Sequence, residues 1–190
     1  RDRMGVICSA FYGEPSKKLT VVGITGTKGK TTTTYMIKSM LEAAGHKTGL
    51  IGTIESIVGD KVTPASNTTP ESIVMQKTLH EMVEAGLDSV VMEVSSQGLM
   101  LDRVAGIDFD YGIFTNLSED HIGPNEHKDF AEYLGWKAKL FTLCKTGIFN
   151  VDDTYCEDIL KGHTCDVITY GEKDCLLYTS PSPRDRTRSR

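Results

Sequence analysis

The sequence lacks several features that would place it quickly. No uninterrupted apolar span is long enough to cross a membrane, and no secretory signal opens the chain. The expected location is therefore cytoplasmic, with no membrane partner. The five cysteines, Cys8, Cys144, Cys156, Cys165 and Cys175, form no C-x-x-C pair and show no metal-ligand spacing. They read as reduced thiols, most of them packing residues. There is no excess of positive charge: the net charge is −5 over 190 residues, with the acidic groups dispersed, which argues against a nucleic-acid partner.

What is present is concentrated in Leu19-Thr20-Val21-Val22-Gly23-Ile24-Thr25-Gly26-Thr27-Lys28-Gly29-Lys30-Thr31-Thr32. A β-branched apolar run breaks into glycines and opens directly into a helical pattern, the strand, loop and helix layout that cradles polyphosphates. Gly26 and Gly29 allow successive N–H groups to converge on phosphate oxygens, and the helix dipole points at the same place. Lys30 supplies a cation for the outer phosphates and Thr31 a hydroxyl for Mg²⁺. The strict G-x-x-x-x-G-K-S/T pattern is not met, because Ile24 stands at its first glycine position. The expected ATP contacts are Gly26, Thr27, Lys28, Gly29, Lys30, Thr31 and Thr32.

Around this loop, helical and strand patterns alternate. Met36, Ile37, Met40, Leu41 and Ala44 fall on one helical face, and Lys47 to Ile51 reads as a strand. Residues 54–62 suggest a hairpin about Gly59-Asp60. Thr69 can cap a helix with Pro70 in its first turn and Met75, Leu79, Met82 and Val83 as its buried stripe. Strands follow at 89–94, 109–115, 147–151 and 167–170, with helical spacing at 130–143 and 154–160. The expectation is a three-layer α/β domain of the phosphate-loop type, with a mostly parallel sheet, helices on both faces and a site at the carboxyl ends of the strands.

Both ends differ from this rhythm. Residues 1–18 carry no strong periodicity and are expected to be a linker or the end of a preceding N-terminal part; residues 19–174 form the domain. Residues 175–190, rich in Ser, Pro and Arg, are expected to be disordered. A basic arm is one reading of them and a non-native stretch at a truncated end is the favoured other.

Glu93-Val94-Ser95-Ser96-Gln97-Gly98-Leu99 and Thr115-Asn116-Leu117-Ser118-Glu119-Asp120-His121 add further motifs, as do Asn67-Thr68-Thr69-Pro70, Arg103 and Tyr133-Leu134-Gly135-Trp136-Lys137-Ala138-Lys139-Leu140-Phe141. With the glycine loop they resemble, in order, the central ATP-binding domain of the Mur ligases. The resemblance covers about residues 11–174. It implies an ATP-dependent amide ligase of peptidoglycan precursor synthesis, adding lysine or diaminopimelate to UDP-N-acetylmuramoyl-L-alanyl-D-glutamate through an acyl phosphate.

By the same resemblance, Lys30, Lys137 and His121 are catalytic, and ATP and Mg²⁺ are the cofactors. Thr31, Glu93 and His121 associate with magnesium, joined by Lys137 once CO₂ carbamylates it. Asn67, Thr68, Thr69, Ser95 and Arg103 hold the muramoyl peptide, and Asn116 lies on the nucleotide side. A monomer is expected, with domains for uridine and for the incoming amino acid outside this stretch. The chain departs from the family's pattern at Gln97, at Leu101 and over residues 123–127, where the family shows His, Gln and a D-Y-H-G-like stretch.

Plainer readings stand beside these. Thr69 is explained by a helix cap, Arg103 and Lys137 by solvated surface charge, and Glu93 by a strand-end carboxylate. His121 with His127 would suggest zinc, but no third soft ligand lies at useful spacing. Folylpolyglutamate synthase shares the glycine loop, although Asn67-Thr68-Thr69-Pro70 and Glu93-Val94-Ser95-Ser96 speak against it. A nucleotide-dependent switch without ligase chemistry is the reading from another class. The 190-residue chain alone is expected to bind ATP weakly and to form no amide, and an amide-formation assay on the purified chain checks this.

Overall fold

A computed structural model describes residues 2–120, 122–123 and 127–172. Eight strands form one sheet: β1 (Thr20–Thr25), β2 (Thr48–Ile51), β3 (Glu55–Val58), β4 (Lys61–Pro64), β5 (Ser89–Glu93), β6 (Phe109–Phe114), β7 (Cys144–Asn150) and β8 (Asp166–Tyr170). Their order is β4-β3-β2-β5-β1-β6-β7-β8. The pairings from β2 through β5, β1, β6 and β7 to β8 are parallel, while β3 runs antiparallel to both β2 and β4. β1 lies between β5 and β6, in register Val21↔Val90 and Val22↔Tyr111.

Six helices accompany the sheet among the described residues: α1 (Asp2–Phe11), α2 (Lys30–Ala43), α3 (Ser72–Glu84), α4 (Ser96–Met100), α5 (Phe130–Ala138) and α6 (Cys156–Leu160). The two sheet faces are covered unequally. Successive residues of a strand point to opposite faces, and Val21, Val90, Met92 and Phe109 join a large core with Met75, Leu79 and Met82 of α3, Tyr133 of α5 and Ile159 of α6. On the opposite face Val22, Ile24, Val91 and Ile113 meet Ile37 and Leu41 of α2. The expected layering is thus observed, with α2 on one side and, among the described residues, α3, α5 and α6 on the opposite one.

Two local expectations are corrected, and one helix is added. Within α2 the buried line runs through Thr34, Ile37 and Leu41, while Met36 and Met40 are 53% and 62% exposed. A helical face drawn through apolar residues alone ran one position off, because the buried Thr34 gives its hydroxyl to Lys30 O at 2.8 Å. Residues 2–11, which carry no strong periodicity, form a helix. Its buried side consists of small residues, Gly5, Cys8 and Ser9, packed on the 105–106 turn and on α3, so no apolar period marks it. A Cβ on Gly5 would lie 2.4 Å from Ala105 O. Thr69 does not cap α3: Glu71 occupies the cap position without a side-chain bond. Residues 173–190, with the expected tail and Cys175, lie outside the described residues, and the other four cysteines are free and buried.

The α2 correction is directly testable. Met36→Gln and Met40→Gln are expected to change unfolding free energy by less than about 0.5 kcal/mol, and Leu41→Ala to lower it by at least about 1 kcal/mol, in urea titrations of the chain.

Candidate active site

The loop between β1 and α2 is held from the β6 side. Gly29 caps α2 at φ +80°, a left-handed angle that glycine takes at little cost. At Gly26 the constraint is proximity, since an added Cβ would stand 2.0 Å from Thr115 Oγ1. Asn116 brackets the next turn: its Oδ1 accepts from Lys28 N and its Nδ2 donates to Lys28 O, both at 2.9 Å. Thr27 N donates to Asn116 O at 2.9 Å, and Thr27 Oγ1 accepts from Ser118 N at 3.0 Å while lying 3.1 Å from Tyr133 Oη. The Thr27 and Asn116 side chains are therefore engaged in shaping the loop. Lys28 and Thr32 are exposed beside it.

Two lysines converge on the same peptide oxygen. Lys30 Nζ donates to Gly26 O at 2.9 Å and to Thr27 O at 3.1 Å. Lys137 Nζ, from α5, donates to Gly26 O at 2.7 Å and stands 4.6 Å from the centre of the Tyr133 ring. Lys137 is 1% exposed, which excludes the reading as a surface lysine. Its burial, and then the charge of Lys30, bring its pKa down from 10.5 to about 7, against an opposing pull from Asp120. Burial lowers the Lys30 pKa as well, with Glu93 and Asp120 opposing.

Glu93 ends β5 within reach of the loop and is 1% exposed. Its Oε1 accepts from Thr31 Oγ1 at 2.9 Å and from Thr53 N at 2.8 Å, and Thr53 Oγ1 donates to its Oε2 at 3.0 Å. On the outer side of Glu93 opens a cleft of about 320 Å³ bordered by Lys30, Thr53, Asn67, Thr68, Ser95 and Arg103. Thr69 is buried behind these residues and does not line the cleft: its Oγ1 donates to Glu93 O and accepts from Ser95 N, each at 3.0 Å. Arg103 Nη1 donates to Thr69 O at 3.1 Å, and Nη2 pairs with Glu71 at 2.6 Å. With its side chain 14% exposed, Arg103 is not a solvated surface charge. Asn67 is exposed at the rim.

Lys30, Lys137, Thr31, Glu93 and Asn116 are thus brought together around the loop, and Asn67, Thr68, Ser95 and Arg103 around the adjoining cleft, with Thr69 buried behind it and bonded to Ser95 and Arg103. His121 lies outside the described residues. Thr53 and Glu71 were not anticipated, because a rim threonine and a helix-start glutamate carry no sequence signal of their own. A larger apolar groove of about 960 Å³, beside Phe130, Leu134, Trp136 and Tyr155, includes none of the expected site residues.

The Mur ligase middle domain family matches residues 24–181. The chain belongs to the Mur ligase family. It is 52% identical, over 171 residues, to UDP-N-acetylmuramoyl-L-alanyl-D-glutamate--2,6-diaminopimelate ligase 1 of Clostridium acetobutylicum, covering 90% of this chain and 35% of that protein. A solved UDP-N-acetylmuramoyl-L-alanyl-D-glutamate--2,6-diaminopimelate ligase superposes with a TM-score of 0.82 at 26% identity, over 93% of this chain and 37% of that one. The folylpolyglutamate synthase of Mycobacterium tuberculosis, solved with ADP and AMPPCP, shares the fold with a TM-score of 0.68 at 17% identity, over 90% of this chain and 47% of that one. This Mur ligase chain spans about a third of the length of the curated relatives it matches. Among its described residues, no helix is long and apolar enough to cross a membrane.

The position of Lys137 predicts a pH effect. An unfolded lysine keeps its proton up to 10.5 and the folded one loses it near 7, so the unfolded state binds more protons across that window and stability rises with pH there. In CO₂-free buffer, urea midpoints between pH 7 and 9.5 are expected to rise more steeply for the wild type than for Lys137→Met. The difference is at most about 1.4 kcal/mol per pH unit, and parallel profiles would contradict the assignment.

Proposed function

We propose that this chain is the ATP-binding part of a ligase that extends UDP-N-acetylmuramoyl-L-alanyl-D-glutamate by one amino acid. The observation that carries the reading is the meeting of Lys30, Lys137 and the Thr31–Glu93 pair at one phosphate-type loop, beside a polar cleft ending in Arg103. The names of the relatives favour 2,6-diaminopimelate over lysine as the incoming amino acid. They also favour the muramoyl ligase over a folylpolyglutamate synthase.

In this reading the loop amides and Lys30 take the outer phosphates of ATP, and the cleft places the terminal carboxylate of the dipeptide alongside. A carboxylate oxygen bonds to the γ-phosphorus as the bond to ADP breaks. The amine of the amino acid then attacks the acyl carbon, a C–N bond forms, phosphate leaves and the amine loses a proton. Thr31 and Glu93 present hard oxygen donors 2.9 Å apart and would hold Mg²⁺, which offsets charge on the transferring phosphoryl group. His121 is proposed for a second ion on the strength of the resemblance alone.

Lys137 as an ammonium repels cations, but its depressed pKa leaves a neutral amine populated near neutral pH. That amine can add CO₂: an N–C bond forms, the nitrogen loses a proton, and an anionic carbamate replaces the cation. The proposed domain boundaries follow the sequence reading, 19–174 for the ATP-binding domain and 175–190 for a tail. Residues 1–18 are proposed as the end of a preceding part, carried on the domain by the contact of α1 with α3. A cytoplasmic monomer completes the proposal.

The test uses the parent protein extended at both ends. Phosphate release from ATP is expected to require both UDP-N-acetylmuramoyl-L-alanyl-D-glutamate and diaminopimelate. It should fall by about 10²-fold or more in Lys30→Ala and in Lys137→Ala, the scale of losing one preorganised charge contact. Release indifferent to the peptide would favour the nucleotide-switch reading instead.

A further inference from the structure

The segment after β6 ends on a side chain for which the proposed reaction has no use. His127 is 0% exposed, although it belongs to a connection and not to the sheet. Its Nε2 lies 2.8 Å from Ser96 Oγ, and its ring centre 5.3 Å from that of Tyr133. Its carbonyl accepts from Gly123 N at 3.2 Å, which closes the connection on itself. Ser96 opens α4 and borders the polar cleft together with Lys30, Thr68 and Arg103. Tyr133, on the other side of the imidazole, reaches Thr27 of the phosphate loop. One imidazole thus stands between the wall of the cleft and a brace of the loop.

A serine hydroxyl has one proton and two lone pairs, and it rotates unless a neighbour fixes it. With either tautomer of His127, the contact uses one of these capacities and sets the direction of the rest. We propose that His127 is a positioning residue for the acceptor substrate. By fixing Ser96 it aligns one polar contact for the carboxylate or amide of the peptide in the cleft. The inference rests on the ligase reading and deepens it. His127 meets Ser96 through Nε2, whereas Tyr133, which reaches Thr27 of the loop, meets its ring at 5.3 Å between centres, so a variant that keeps a ring there should spare ATP.

Steady-state kinetics of the extended parent protein test this. His127→Phe keeps a ring against Tyr133 and removes Nε2. It is expected to raise KM for the UDP-muramoyl dipeptide about tenfold, the scale of one buried hydrogen bond, with KM for ATP and kcat within about twofold. His127→Gln, which supplies an amide near the lost nitrogen, should recover most of the affinity. Ser96→Ala should match His127→Phe, and the double variant should be no worse than either single one. Equal rises in both KM values, a fall confined to kcat, or additive losses in the double variant would overturn the proposal. A parent enzyme that needs the peptide while His127→Phe keeps the parental KM overturns this inference alone. A parent that ignores the peptide overturns the ligase reading and this inference with it.

Discussion

Two lysine side chains donating to one peptide oxygen, that of Gly26, are the constraint on which the site depends. Such an arrangement holds only where the carbonyl is fixed and the cations have nowhere better to go. The first condition is met by the β6 side, where Thr115 and Asn116 fill the space that a side chain at Gly26 would need. The second is met by burying Lys137 on α5, where Tyr133 covers it. The cost is a depressed lysine pKa, and a group held away from its ordinary protonation state is a common mark of a reacting centre.

A second residue, Glu93, relates the two halves of the site. Glu93, at the end of the strand next to β1, takes Thr31 from the loop side and Thr53 from the rim. Its own main-chain oxygen takes Thr69, which in turn carries Arg103. The glycine loop and a polar cleft therefore share a strand end, and each threonine in the series answers a backbone or carboxylate group that burial would otherwise leave unpaired. This is the reason Thr69 sits inside the structure and not at the start of α3.

Much of this was legible in the sequence where spacing and physics agree. The strands were read because β-branched runs bounded by turns have few other uses, and the glycine loop because its lysine and threonine have no packing role. The Thr69 and α2 readings failed for one reason: polar side chains that bond to the backbone at close range belong in the core, and an apolar count does not see them. The helix at 2–11 was invisible because it packs through Gly5, Cys8 and Ser9, which leave no hydrophobic period. The partnership of His127 with Ser96 joins residues 31 apart with the rest of α4 and with β6 between them, a pairing that no helical or strand spacing announces.

The central place of β1 also governs when the site can exist. Its neighbours arrive late: the bond from Lys28 to Asn116 spans 88 residues, and that from Lys137 to Gly26 spans 111. On a ribosome, the glycine loop emerges long before the strands and the lysine that give it shape. Loop closure over such distances is paid before any contact rewards it, so parallel sheets of this kind assemble slowly. The shaped loop with its two lysines is consequently a late product of folding, and a ligand held there could not be the template around which the chain first collapses.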